Sequence, residues 1–296
     1  MIISQDHEIS SPQDSVTPVG LFIMDFDGTL LRSDRTVASK DLDALRQLGE
    51  TGIIRAIATG RSLFSFNNVT IPDLPVDFVI FSMGAGVLQY NDRQIVRKAS
   101  LEPLEVERAT EVLKNYRLDF MVHRTIPDNH MFAYYRSSHE NEDFDRRLEL
   151  YRPHAEILIE TSNGFGPATQ LLAVVPSHNG TAALEAIRSD LRDFNVIQTT
   201  SPLDGKSTWI EIFPTSVSKS QTAAWLAGKL LIEKEQTVSV GNDYNDLDLL
   251  EWTDSSYVVD NAPTDLKSRF TIVASNNNSG VAEAAERWLK GTYGTG

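Results

Sequence analysis

The sequence predicts an α/β protein in which a parallel, helix-flanked sheet is interrupted by a separate α+β unit and then completed. Three observations predict it. Short apolar runs closed by turn residues recur early, at 19–26, 53–59 and 78–82, the pattern of strands buried on both faces. The same alternation of apolar run and helical spacing returns after Pro214. Between the two lies a long stretch that mixes helical and extended patterns with no repeat period, the mark of an inserted domain rather than a solenoid.

In order, the run Val-Gly-Leu-Phe-Ile-Met-Asp-Phe ends in Asp27-Gly28, so its chemistry lies at the C-terminal end of a strand. Ser39 then precedes Leu42, Leu45 and Leu48 at helical spacing, and Gly52 introduces the second apolar run, which makes a β-α-β unit. The third run ends in Met83-Gly84-Ala85-Gly86, where glycine permits a sharp change of direction. Within the insertion, 104–116 and 181–191 read as helices, and 169–175 and 209–213 as extended. Asp128-Asn129 and the run Ser162-Asn163-Gly164-Phe165-Gly166-Pro167 read as turns. The last part reads as a helix over 218–231, a strand over 237–241, a helix over 247–252, and strands over 257–259 and 271–273. The expected division is a loose N-terminal extension over 1–18, a core over 19–86 and 202–296, and an inserted unit over 87–201. Right-handed crossovers allow both halves of the core to share one sheet, with ligands gathering at the carboxyl ends of its strands.

Composition narrows the function. At 296 residues, with 41% hydrophobic and 23% charged side chains, the chain has ordinary globular usage and enough length for two cores. A formal net charge of −14, with no cluster of Lys or Arg, disfavours a nucleic-acid partner while leaving small phosphorylated ligands open, since one local cation outweighs distant screened carboxylates. No run of about 18 apolar residues predicts a membrane span. The chain has no cysteine, which excludes disulfides, thiolate metal sites and a Cys nucleophile, and a cytoplasmic location is expected.

Polar groups stand where the predicted strands end: Asp25 and Asp27, Thr59 with Gly60 and Arg61, Lys219 at a helix start, and the cluster Asn242, Asp243, Asn245 and Asp246. Two carboxylates at i and i+2 facing a second acidic loop form a hard-oxygen site suited to Mg²⁺. An ammonium and a hydroxyl beside it would cradle a phosphate. A lysine at a helix start opposes the helix dipole, a mild penalty that points to a nearby anion.

In this order and spacing the residues resemble the haloacid-dehalogenase-like hydrolases, in particular the Cof-like group with a large α/β cap between the second and third motifs. Asp25-Phe26-Asp27-Gly28-Thr29-Leu30-Leu31 resembles the first motif, Thr59-Gly60-Arg61 the second, Lys219 the third, and Gly241-Asn242-Asp243-Tyr244-Asn245-Asp246 the fourth. The resemblance covers about 19–86 and 202–290, and within the insertion extends only to size and alternation. It implies a Rossmann-like core and a Mg²⁺-dependent phosphatase acting on a small-molecule phosphate ester. Asp25 would attack phosphorus to form an aspartyl-phosphate, and Asp27 would protonate the leaving alkoxide and then deprotonate water. Thr59 and Gly60 would bind the phosphoryl oxygens, with Lys219 neutralising charge and Arg61 and Asn245 in support. The metal would be held by Asp25, the Asp27 carbonyl and the loop of Asn242, Asp243 and Asp246. Sugar phosphates are the expected substrates by family analogy, and His123, Arg124, His130 and Arg136 are candidate readers of the leaving group.

The chain departs from the family pattern twice: Asn242 stands where an aspartate is usual directly after the glycine, and Met83-Gly84-Ala85 replaces the usual Asn-Gly-Ala. Two alternatives share these features. A phosphomutase would return the phosphoryl group to a sugar, and a phospho-accepting receiver module also places an acidic pocket and a lysine at strand ends. A receiver needs neither a second acid at i+2 nor so large an insertion.

Overall fold

The computed structural model describes residues 18–137, 140–159, 166–176 and 180–293. In chain order its first part comprises β1 (Gly20–Asp25), α1 (Ser39–Glu50), β2 (Ile53–Ala58), α2 (Leu63–Asn67), β3 (Phe78–Phe81), β4 (Gly86–Gln89) and β5 (Gln94–Lys98). A second group follows: α3 (Pro103–Asn115), β6 (Asp119–His123), β7 (Phe132–Tyr135), α4 (Glu142–Leu150), β8 (Ala155–Ile157), β9 (Gln170–Val175), α5 (Gly180–Asp190), β10 (Phe194–Thr200) and β11 (Thr208–Pro214). The chain ends with α6 (Lys219–Lys229), β12 (Thr237–Gly241), α7 (Leu247–Trp252), β13 (Ser255–Val259), α8 (Thr264–Arg269), β14 (Thr271–Val273) and α9 (Gly280–Tyr293).

The core sheet has eight strands in the order β14-β13-β12-β1-β2-β3-β4-β5. From β14 to β3 neighbouring strands run parallel. Every residue of β1 is buried. Leu21 and Ile23 pack in one cluster with Ala223, Leu226 and Leu230 of α6 and its C-terminal cap, while the neighbouring Phe22 lies 6.2 Å from the ring of Trp288 on α9. A strand covered on both faces requires a continuous apolar run, which is why the sequence shows no alternation there.

The other sheet has six strands in the order β10-β11-β9-β6-β7-β8, antiparallel except for the β7–β8 pair. Alternation is visible in β9: Leu171, Ala173 and Val175 join the cluster built with α3 and α5, whereas Leu172 and Val174 pack with Phe144 of α4. Thus α3 and α5 cover one face and α4 the other.

The two compact units divide at other positions than the sequence predicts. Among the described residues one holds 18–61, 66–98 and 218–293, and the other holds Ser62–Ser65 and the described part of Ala99–Val217. The core continues past 86 because β4 and β5 add an antiparallel hairpin to β3. The second unit runs past 201 because β11 pairs with both β9 and β10. The extension expected at 1–18 falls outside the described residues except for Pro18, and the turn expected at 162–167 falls outside them except for Gly166 and Pro167. Among the described residues no helix is long and apolar enough to cross a membrane.

Candidate active site

Asp25 is the last residue of β1, buried at the carboxyl edge of the sheet. The chain then turns through Gly28, whose φ of 78° lies in the left-handed region, and the turn is tied back by Leu30 N–H to Asp25 O and Leu31 N–H to Phe26 O. Thr59 follows β2, which pairs in register with β1 up to Asp25↔Ala58, so the hydroxyl stands one residue beyond the level of Asp25 on the neighbouring strand. Its Oγ1 accepts the Arg61 N–H at 3.1 Å, which closes the 59–61 turn.

Past β3 the chain places Ser82, Met83 and Gly84 successively at φ of 49°, 56° and 104°. For Ser and Met this is a strained conformation. It lets the Ser82 N–H reach Arg61 O and the Met83 N–H reach Thr59 O, bracing the turn beneath the hydroxyl. Gly84 is required for a second reason: a side-chain carbon there would fall 2.4 Å from the carbonyl oxygen of Ser218. That close approach, with the Thr222 hydroxyl donating to Gly84 O at 2.9 Å, sets the start of α6. Ser218 caps the helix by accepting the Gln221 N–H, which fixes Lys219 as its first residue.

Lys219 is fully buried, and its ammonium donates to Asp25 Oδ1 at 2.7 Å and to Asp246 Oδ1 at 2.5 Å. The other oxygen of Asp246 accepts the N–H groups of Asn242 and Asp243 at 2.9 and 3.2 Å. Asp246 therefore shapes the loop after β12 and pairs with the lysine, with both oxygens engaged. Burial, reinforced by the neighbouring Asp246 carboxylate, pushes Asp25 up to about 8 against the opposing pull of Lys219. For Lys219 burial disfavours the ammonium, but the carboxylates of Asp246 and Asp25 outweigh it and hold the group above the usual lysine range. Burial also raises Asp243, whose Oδ1 accepts the Tyr244 N–H at 2.8 Å. Asn245 lies in the adjoining turn Tyr244–Asp246, partly exposed.

Asp27 is exposed, and both its oxygens accept from Arg61, Nε at 2.7 Å and Nη2 at 2.6 Å. This is a bidentate fork. Phe26 holds the guanidinium from its other side, with Arg61 Cζ 5.6 Å from the ring centroid.

The donor set fits a hard cation. Asp25 Oδ2, the Asp27 carbonyl and Thr29 Oγ1 converge on the side-chain amide of Asn242, whose Oδ1 accepts from the Thr29 hydroxyl at 3.1 Å; turning the amide over would place its nitrogen 3.1 Å from all three. All three are oxygens of the kind that Mg²⁺ takes. Among the described residues no group of three or more His, Cys, Asp or Glu side chains could hold a metal by itself, so carbonyl, hydroxyl and amide oxygens must complete the set. Sequence reasoning missed Thr29 and the Arg61 fork. The threonine hydroxyl is buried in a turn where its chemistry depends on a partner 213 positions away.

The second-unit candidates have partners of their own. His123 is buried beside Asn129 O at 2.7 Å, and burial together with Arg147 pushes its imidazole down to about 3, so it is neutral. Arg124 pairs with Glu156 at 3.0 Å and Arg136 with Asp145. His130 stacks on Phe64 at 4.3 Å.

Comparison with known proteins places these observations. A family model described as haloacid dehalogenase-like hydrolase matches residues 22–284. A 5-amino-6-(5-phospho-D-ribitylamino)uracil phosphatase of Bacillus subtilis is 24% identical over 301 residues, covering 91% of this chain and 98% of that protein. Among solved structures, a phosphatase of this superfamily from Bacteroides thetaiotaomicron shares the fold with a TM-score of 0.72 at 18% identity, over 94% of this chain and 98% of that one. A subclass IIB sugar phosphatase does so with a TM-score of 0.70 at 16% identity, over 91% and 98%.

Proposed function

The chain belongs to the haloacid dehalogenase-like hydrolases, and from that premise we propose that it is a Mg²⁺-dependent phosphatase of small polyhydroxylated phosphate monoesters, sugar phosphates first among them. One observation carries the reading. Two carboxylates two residues apart are held by different cations in different surroundings: Asp25 is buried against Lys219, while Asp27 is half-exposed against Arg61. Separate environments are what allow paired acids to take separate roles.

Asp25 attacks phosphorus with one carboxylate oxygen, and the P–O bond to the leaving group breaks as the aspartyl-phosphate forms. Asp27 gives its proton to the departing alkoxide, then takes one from the water that attacks the phosphorus of the intermediate and frees inorganic phosphate. The Thr59 hydroxyl and the Gly60 N–H bind the phosphoryl oxygens, and Lys219 neutralises the charge that accumulates. Asp25, the Asp27 carbonyl and Asn242 would hold the metal, with Asp243 at the rim of the loop. When bound, the cation offsets the repulsion between an anionic nucleophile and an anionic ester. The uracil phosphatase and the sugar phosphatase named above support the substrate class, since both act on phosphates of hydroxylated carriers by their names.

The test is phosphate release from a panel of phosphorylated metabolites in Mg²⁺ and in excess EDTA. Turnover should appear on one or a few sugar or sugar-alcohol phosphates, vanish with chelation and return with Mg²⁺, while Ca²⁺, with longer bonds and more ligands, should substitute poorly. Full activity in EDTA sinks the metal role, and no release from any ester sinks the reading.

A further expectation concerns Arg61. Removing the fork that orients Asp27 should slow turnover of an alkyl phosphate about 10- to 100-fold, within the scale of acid–base catalysis, and slow para-nitrophenyl phosphate less, because nitrophenolate leaves without a proton. Arg61→Lys should recover part of the loss, an ammonium supplying charge but not the fork. Equal losses on both esters in Arg61→Ala would mean the fork serves only the fold.

A further inference from the structure

Asn242 is one of the two places where this chain departs from the pattern it resembles, and its side-chain amide stands 3.1 Å from Asp25 Oδ2, the Asp27 carbonyl and Thr29 Oγ1: with Oδ1 on that side it accepts from the Thr29 hydroxyl, whereas with the nitrogen turned there it donates to all three oxygens. Two of those oxygens, on Asp25 and Asp27, are the ones assigned above to the cation. An NH₂ group pointing at these oxygens and a metal bound by them compete for one place, since Mg²⁺ needs its oxygens at about 2.1 Å and unshielded by a donor. We propose that the Asn242 amide is a built-in competitor of the metal: its NH₂ satisfies the metal-ligating oxygens while no cation is bound, and a half-turn about its terminal torsion offers Oδ1 instead when the cation arrives. The inference rests on the cation-site reading of the proposed function.

The physical case has two parts. In the metal-free chain Asp25 and Asp246 share a single buried ammonium. A third carboxylate at 242 would add an anion to that pocket, whereas the amide adds a donor with no charge, so the site holds together without metal. In the metal-bound chain the amide contributes a dipole where an aspartate would contribute a full charge, and its hydrogen bonds must first be surrendered. Cation affinity follows ligand charge, so the natural chain binds Mg²⁺ more weakly than an aspartate at this position would allow. The terminal torsion of Asn is broad and roughly two-fold, so the reorientation itself meets little intrinsic resistance.

The experiment uses the full chain stripped with EDTA, with Mg²⁺ itself as the probe, followed by titration calorimetry and by Tm as a function of Mg²⁺. Asn242→Asp should lower the Mg²⁺ Kd about tenfold or more and lower the Tm of the metal-free chain, with the gap to the natural chain closing as Mg²⁺ saturates. Asn242→Ala removes the donor without adding charge, and should also lower the metal-free Tm. An Asp variant that folds only with Mg²⁺ present supports the proposal, and if it folds under neither condition the Ala variant decides. The proposal is overturned if Asn242→Asp binds Mg²⁺ no more tightly than the natural chain, if metal-free Asn242→Ala melts with it, or if the gap between the Asp and natural chains persists undiminished at saturation. Failure of all three chains to bind Mg²⁺ would overturn the cation-site reading along with it, whereas equal binding by the natural and Asp chains sinks the competition alone.

Discussion

Asp25→Asn is expected to abolish phosphate release from every ester, activated or not, with a loss on the order of 10⁶, the scale on which removing a covalent nucleophile acts. The amide keeps the volume and one acceptor for Lys219 but cannot form the acyl phosphate. Asp27→Asn should behave differently, because the main-chain carbonyl of residue 27 is unaffected and Asn can still accept one bond from Arg61. It lacks the proton donor and the later base, a loss of about 10²- to 10⁴-fold that falls mainly on alkyl phosphates. With para-nitrophenyl phosphate the first step survives better and hydrolysis of the intermediate stalls. Rapid mixing should then give a burst of roughly one nitrophenolate per enzyme, and mass spectrometry should find phosphate on the peptide that carries Asp25. Equal losses on both esters with no adduct would mean that Asp27 is not the acid.

Lys219→Met carries the second large effect. The lysine is the ammonium shared by Asp25 and Asp246, and all three side chains are buried. Removing one partner of a buried ion pair costs about 3–5 kcal/mol because it strands the other charge, and here Asp246 is left without its counter-ion beside Asp25. The variant should unfold at lower urea concentration than the natural chain in EDTA, with a smaller difference in Mg²⁺, since a divalent cation replaces part of the missing charge. Activity should fall about 10²- to 10³-fold even where the variant is folded, the scale on which one charge-stabilising donor acts. Unchanged stability in EDTA would show that the Lys219 pair does not stabilise the fold.

The catalytic edge of the core was legible because its strands are covered on both faces. A run such as that of β1 has no polar position inside it, so the first acid that appears, Asp25, marks the strand's end; Thr59 and Asn242 likewise follow directly on β2 and β12. The boundary at 86 misled for the opposite reason. Gln94–Lys98 has one fully buried residue, Val96, between half-exposed and exposed ones, so an edge strand read as no strand at all. The last helix has no counterpart among the predicted elements, although Val281, Ala284, Ala285 and Trp288 carry its buried face. Within the site, spacing reveals which residues are present but not which atoms are already taken. Asp243 and Asp246 look alike in the sequence, yet one oxygen of Asp246 goes to Lys219 and the other to two main-chain N–H groups. Arg61 beside Thr59 reads as an ordinary turn until the fork to Asp27, 34 positions earlier, is visible.

The pairing of β1 with β12 has a consequence for how this molecule is made. Asp25 and Lys219 lie 194 positions apart, so the first neighbours of Asp25 leave the ribosome early and its counter-ion late. Contacts of such sequence separation are slow to form, and a nascent chain synthesised only as far as β11 exposes the buried flank of β1 to solvent. The α+β segment, whose six strands all arise within one continuous stretch, has every pairing it needs before α6 is translated. Vectorial synthesis therefore favours assembly of the inserted segment ahead of the sheet that flanks it in sequence, and the acidic pocket is among the last parts to close.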